Sequence, residues 1–124
     1  NPNCTFMNAC LITGSRELTD VIAHEIAHSW SGNLLTNKTW GDFWLNEGFT
    51  MYIERLMEGR IFGEEMRHLY SIFGYGELVR DIDEYMEVEP EFTKLRPCMD
   101  GCDPDDAFSR VPYEKGFLLL LYLE

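Results

Sequence analysis

Val21-Ile22-Ala23-His24-Glu25-Ile26-Ala27-His28-Ser29-Trp30 is the stretch that decides the reading of this chain. His24-Glu25-Ile26-Ala27-His28 has the form H-E-x-x-H, and on a helix a four-residue spacing puts both imidazoles on one face, one turn apart, within reach of a single ion. The bland alternative is that His24, Glu25, His28 and Ser29 form the wet stripe of an amphipathic helix. Against it stand the apolar neighbours Val21, Ile22, Ala23, Ile26, Ala27 and Trp30, which predict a mostly buried helix. Polar groups left unpaired in a core cost several kcal/mol, and a zinc ion bound through imidazole nitrogen would satisfy them. Glu25, between the two histidines, is the candidate general base.

A third ligand is needed. Peptidases that use a third histidine present it in H-x-x-G-x-x-H, and no histidine follows His28 at that spacing, so a carboxylate is expected instead. Eighteen residues separate His28 from Glu47. Glu47 lies in Trp44-Leu45-Asn46-Glu47-Gly48-Phe49 on the next predicted helix, where apolar neighbours leave a lone carboxylate without another explanation.

Around this pair of helices the sequence predicts a mainly helical frame. The opening, residues 1–13, reads as an extended segment, with an edge strand as one form of it, before the Gly14-Ser15 break. A helix is expected over 17–30, capped by Ser15 or Thr19 and stopped at Gly32-Asn33. A second is expected over 43–57, with Asp42 as its cap and Gly59 as its end. Two more, over 64–73 and 77–85, are divided by Gly74 and Gly76. Residues 88–107 carry three prolines and an acidic stretch that reads as loop and lacks the glycine and glutamate positions of an EF-hand. A last helix starts with Pro112 in its first turn.

Composition excludes several classes. With 124 residues, 45% hydrophobic and 26% charged, the chain has the make-up of one packed domain. A net charge of −12, with no basic cluster, makes nucleic acid an unsuitable partner. The longest apolar run, Phe117 to Leu123, is far short of the roughly 20 residues needed to span a bilayer, so no membrane span is expected. No basic-then-apolar signal peptide is expected either. Cys4, Cys10, Cys98 and Cys102 read as reduced thiols, in keeping with a cytoplasmic location, and Cys98-x-x-x-Cys102 as half of a structural zinc site is the minor alternative. His68 has no ligand partner at a useful spacing and reads as a surface residue. The chain starts without Met and stops inside an uncapped apolar helical pattern, so residues 1–124 are expected to be a single partial domain, truncated at both ends.

H-E-x-x-H followed after eighteen residues by Glu resembles the signature of the gluzincin zinc aminopeptidases. Gly32 to Trp40, Phe43 to Gly48, Gly59 to Gly63, Gly76-Glu77-Leu78, Phe92 to Leu95 and Val111 to Phe117 extend the likeness along the chain, in particular to the leukotriene A4 hydrolase and aminopeptidase B branch. The resemblance implies a thermolysin-like catalytic domain, one zinc ion, and a peptide with a free N-terminus as substrate. It also implies roles that spacing alone does not give. Tyr113 would hydrogen-bond the oxyanion of the tetrahedral intermediate. Asn1 would be the last residue of the motif that binds the substrate's amino group. Asp105 would match a carboxylate used when a lipid epoxide is the substrate. Phe49 and Phe108 depart from the His and Tyr of that branch, which bears on epoxide hydrolysis and leaves peptidase chemistry untouched. The readings from another class are a catalytically inactive zinc-binding module and a lipid-binding module.

Overall fold

The computed structural model describes residues 3–15 and 17–124. It is mainly helical, with no strand among the described residues. The described residues form four α-helices: α1 (Thr19–Ala27), α2 (Trp44–Phe62), α3 (Glu64–Val88) and α4 (Gly116–Leu123). Short 3-10 turns punctuate the loops, and one turn of π-helix, Val111–Lys115, leads directly into α4.

α2 is the axis. α1, α3, α4 and the π-turn all pack on it. Its buried residues, Glu47, Gly48, Thr50, Met51, Glu54, Arg55, Glu58 and Gly59, follow the i, i+3, i+4, i+7 pattern of one helical face. Most of that face is polar, which is unusual for a central helix. Two buried glycines bring backbones together: a Cβ on Gly48 would lie 2.8 Å from the Gly116 Cα, so α2 and the start of α4 touch main chain to main chain. Gly63, at φ +101°, is the one residue between α2 and α3, in a backbone conformation that glycine adopts without strain.

Several boundaries differ from expectation. α1 covers nine residues rather than fourteen and begins after Leu18, not at a Ser15 or Thr19 cap. Within residues 1–124, Ala23 and Ala27 of α1 are buried on α2, Ile26 is 44% exposed, and Trp30, just beyond the helix, 59%. α2 starts at Trp44, behind a 3-10 turn over Trp40–Asp42. Asp42 does not cap it. The carboxylate instead accepts hydrogen bonds from Thr39 Oγ1 at 2.7 Å and Arg96 Nε at 2.6 Å. α2 also runs through Gly59 to Phe62.

The two helices expected on either side of Gly74 and Gly76 are one continuous 25-residue α3. Gly74 is there for space rather than for a break: a side chain at that point would collide with Glu114 and Arg55. The opening segment forms a 3-10 turn over Ala9–Leu11, with the Asn8 side chain accepting from the Cys10 N–H at 3.0 Å, in place of an edge strand. The final helix begins as a π-turn, not as the α-turn that Pro112 predicts. All four cysteines are exposed and free, and His68 is exposed, as the sequence indicates.

Candidate metal centre

α1 and α2 cross so that His24 and His28 face the first turn of α2. His24 Nε2 lies 3.2 Å and His28 Nε2 3.3 Å from the same oxygen of Glu47, Oε2. One potential ligand atom from each of the three residues lies within 4.8 Å of the others, and among the described residues no other group of three or more His, Cys, Asp or Glu meets that condition. Cys98 and Cys102 belong to no such group among the described residues.

The rings are aimed by their other nitrogens. His24 Nδ1 donates to Glu54 Oε2 at 2.8 Å, and His28 Nδ1 donates to the Ser31 carbonyl at 2.8 Å, with Thr50 Oγ1 at 3.2 Å. A proton fixed on Nδ1 leaves the Nε2 lone pair of each ring free for an ion, as in metal sites generally. Ser31 is itself tied down, its hydroxyl donating to the carbonyls of Leu45 (3.1 Å) and Asn46 (2.9 Å), while Asn46 Oδ1 accepts from the Asn37 N–H. Gly32, at φ +120°, lets the chain turn beneath His28, where a Cβ would come within 3.0 Å of Nδ1.

Two imidazole nitrogens and one carboxylate oxygen are the donor set of a catalytic zinc site, with a coordination position left over. Electrostatics agree. Burial disfavours a charged His24, yet the carboxylates of Glu47 and Glu54 outweigh it and lift its pKa to about 9. His28 is raised in the same sense by Glu47, again against burial. Burial alone would lift Glu47, but the two imidazoles hold its carboxyl below the ordinary range. The site thus concentrates negative charge where a cation would sit, and a metal ion bound there would displace protons.

Glu25 lies between the ligands in sequence and is half-buried. Tyr113 approaches from the π-turn, its ring stacked near His24 with centroids 6.1 Å apart. Burial, then the nearby negative charges of Glu47 and Glu25, push the Tyr113 hydroxyl well above its usual pKa of 10, so it stays a hydrogen-bond donor. Asp105 is exposed in the 3-10 turn Pro104–Ala107. It lines a cavity of about 340 Å³ with Trp40, Phe43, Phe92 and Phe108. Asn1 lies outside the described residues. Sequence reasoning missed Glu54, Thr50 and Arg55. Glu54 had a readable signal, since it sits seven residues from Glu47 on one helix face.

The family model of the peptidase family M1 domain matches residues 2–124. Leucine aminopeptidase 2 of Saccharomyces cerevisiae is 52% identical over the whole chain, and leukotriene A-4 hydrolase of Xenopus laevis 51%. The chain spans 18% and 20% of those proteins, so it corresponds to about a fifth of their length. In structure it matches native leukotriene A4 hydrolase from Saccharomyces cerevisiae with a TM-score of 0.92 at 54% identity, covering 99% of this chain and 20% of that one. The yeast enzyme in complex with bestatin matches at 0.91 and 52%. Family M1 is zinc-dependent, and no described helix here is long and apolar enough to cross a membrane. A histidine pair and a carboxylate converging between two helices, in a chain matched by the family model almost from end to end, make this protein a member of peptidase family M1.

Proposed function

We propose that residues 1–124 are part of the catalytic domain of a zinc aminopeptidase that removes N-terminal residues from peptides. The observation that carries this reading is the convergence of His24 Nε2, His28 Nε2 and Glu47 Oε2, each histidine aimed by a separate partner on its other nitrogen. His24, His28 and Glu47 would hold the ion. When bound, zinc supplies Lewis acidity, polarising the scissile carbonyl and bringing the pKa of a ligated water down to about 7.

The chain's own residues do the rest. Glu25 takes a proton from the attacking water on its carboxylate and passes it to the departing amine, serving first as base and then as acid. Tyr113 donates its hydroxyl proton in a hydrogen bond to the oxyanion as charge develops there. A donor whose pKa is raised holds its proton throughout the reaction. Asn1 would help to place the substrate's free amino group, a role that rests on the family resemblance.

A second activity on a lipid epoxide has one observation in its favour, the cavity of about 340 Å³ with aromatic walls and Asp105 on its lining. Phe108 and Phe49 stand against it. An inactive zinc- or lipid-binding module is the remaining alternative. Four exposed free thiols favour a reducing compartment, the cytoplasm.

The test is zinc stoichiometry by elemental analysis of the full-length protein, paired with release of an N-terminal residue from a short peptide, with and without chelator. One zinc per chain with chelator-sensitive release is expected. Zinc without release would replace the peptidase by the binding module, and absence of zinc would overturn the ligand assignment.

A further inference from the structure

Next to Glu54, which aims His24, stands Arg55, and its side chain leaves α2 in another direction. Its Nη2 donates to Glu114 Oε1 at 2.7 Å, across 59 residues of sequence. Both partners are almost wholly buried, at 3% and 1% exposure. The guanidinium lies 4.0 Å from the centroid of the Phe117 ring, and Gly74 on α3 leaves open the space the pair occupies. Arg55 Nε and Nη1 and Glu114 Oε2 have no hydrogen-bond partner among the described residues.

A buried ion pair with unsatisfied atoms is a poor means of stabilising a fold, because apolar side chains of like volume often do as well or better. What it can supply is register. Glu114 is the residue after Tyr113 and lies within the π-turn Val111–Lys115. Single π-turns are rare and frequently sit at functional sites. Each residue of helical register is worth about 100° of rotation, so a relaxation of this turn to α geometry would swing the Tyr113 ring off the face it shares with His24.

We propose that Arg55 is a positioning residue: by gripping Glu114 it holds the π-turn in the register that aims Tyr113 at the metal site. Adjacent residues of α2 then govern the two halves of the chemistry, Glu54 through His24 and Arg55 through Glu114. This rests on the role given to Tyr113 above.

The test is a cycle in the full-length, zinc-loaded protein. Arg55→Met and Glu114→Gln are each made in the wild type and in a Tyr113→Phe background. Arg55→Met is expected to lower kcat by about 10- to 100-fold, the scale of a displacement near 1 Å, with KM within about twofold and zinc content unchanged. In the Tyr113→Phe background it should cost nothing further. An equal loss in both backgrounds, or loss of zinc, would overturn the proposal. Should Arg55→Met not fold, Glu114→Gln decides by the same criterion, with its smaller loss confined to the Tyr113 background. A crystal structure of a zinc-free protein carrying Arg55→Met, or Glu114→Gln in its place, gives a readout independent of activity: the Tyr113 ring moves away from His24 while α2 stays in place, and an unmoved ring refutes the idea. If the wild type hydrolyses no peptide, the peptidase reading fails on that result alone, and ring placement still judges Arg55.

Discussion

Glu47 and Glu54 at one end of the buried face of α2, and Glu58 farther along it, are in opposite circumstances. The first two meet imidazoles at 3.2 and 2.8 Å. Glu58, 1% exposed, has no hydrogen-bond partner for either carboxylate oxygen among the described residues. Burial, together with Asp20 and Glu54, lifts its carboxyl above the ordinary 4.5, whereas Glu47 is held below that value. Burial is thus common to all three, and partnership separates them: two carboxylates meet imidazoles and the third is desolvated without a partner among the described residues.

Four experiments can break or sharpen this contrast. Glu25, which neither aims a ligand nor belongs to the converging set, should behave differently from both ends. Glu25→Gln is expected to reduce peptide hydrolysis by about 10²- to 10⁴-fold with one zinc retained by elemental analysis, and normal turnover would sink the mechanism. At the partnered end, Glu54→Ala should weaken zinc by about 10- to 100-fold in a chelator competition, the usual effect of losing a residue that orients a ligand. His24→Ala, which removes a ligand outright, should lose more. Unchanged affinity in Glu54→Ala would erase the distinction between Glu54 and Glu58.

At the unpartnered end the expected sign reverses. Glu58→Met should stabilise the protein by about 1–3 kcal/mol at neutral pH in urea unfolding, with zinc content untouched. Because the folded pKa of Glu58 is raised, the folded state keeps its proton to higher pH than the unfolded chain, so wild-type stability falls as pH rises from 4.5 through the folded value. The advantage of Glu58→Met should therefore fade as pH drops to 4.5 and below. A gain that persists at acidic pH would mean packing, not charge, is responsible. The smallest effect belongs outside this face altogether: Cys98→Ser with Cys102→Ser, at two exposed thiols, should leave zinc stoichiometry unchanged and stability within about 0.5 kcal/mol.

The helical class and the convergence of His24, His28 and Glu47 were legible because spacing along helices, which a sequence displays directly, brings them about. What escaped reading was imposed from a distance. Gly74 and Gly76 look like a break, yet α3 runs through both, and Gly74 is explained by volume: Arg55 and Glu114, 19 and 40 positions away from it, fill the space a side chain would take. Asp42 looks like a cap, but Arg96 draws its carboxylate elsewhere. Pro112 is compatible with an α-turn or a π-turn, and the choice is made by what Glu114 finds across the core.

The contact between Gly48 and Gly116 sets a dimension of the site. A Cβ on either glycine would fall 2.8 Å from the Cα of the other, so any side chain there has to drive α2 and the start of α4 apart. The separation between the helix that carries Glu47 and the turn that carries Tyr113 is therefore a spacer built from two missing methyl groups, and Gly48→Ala would act on the site as a wedge without touching a single polar atom in it.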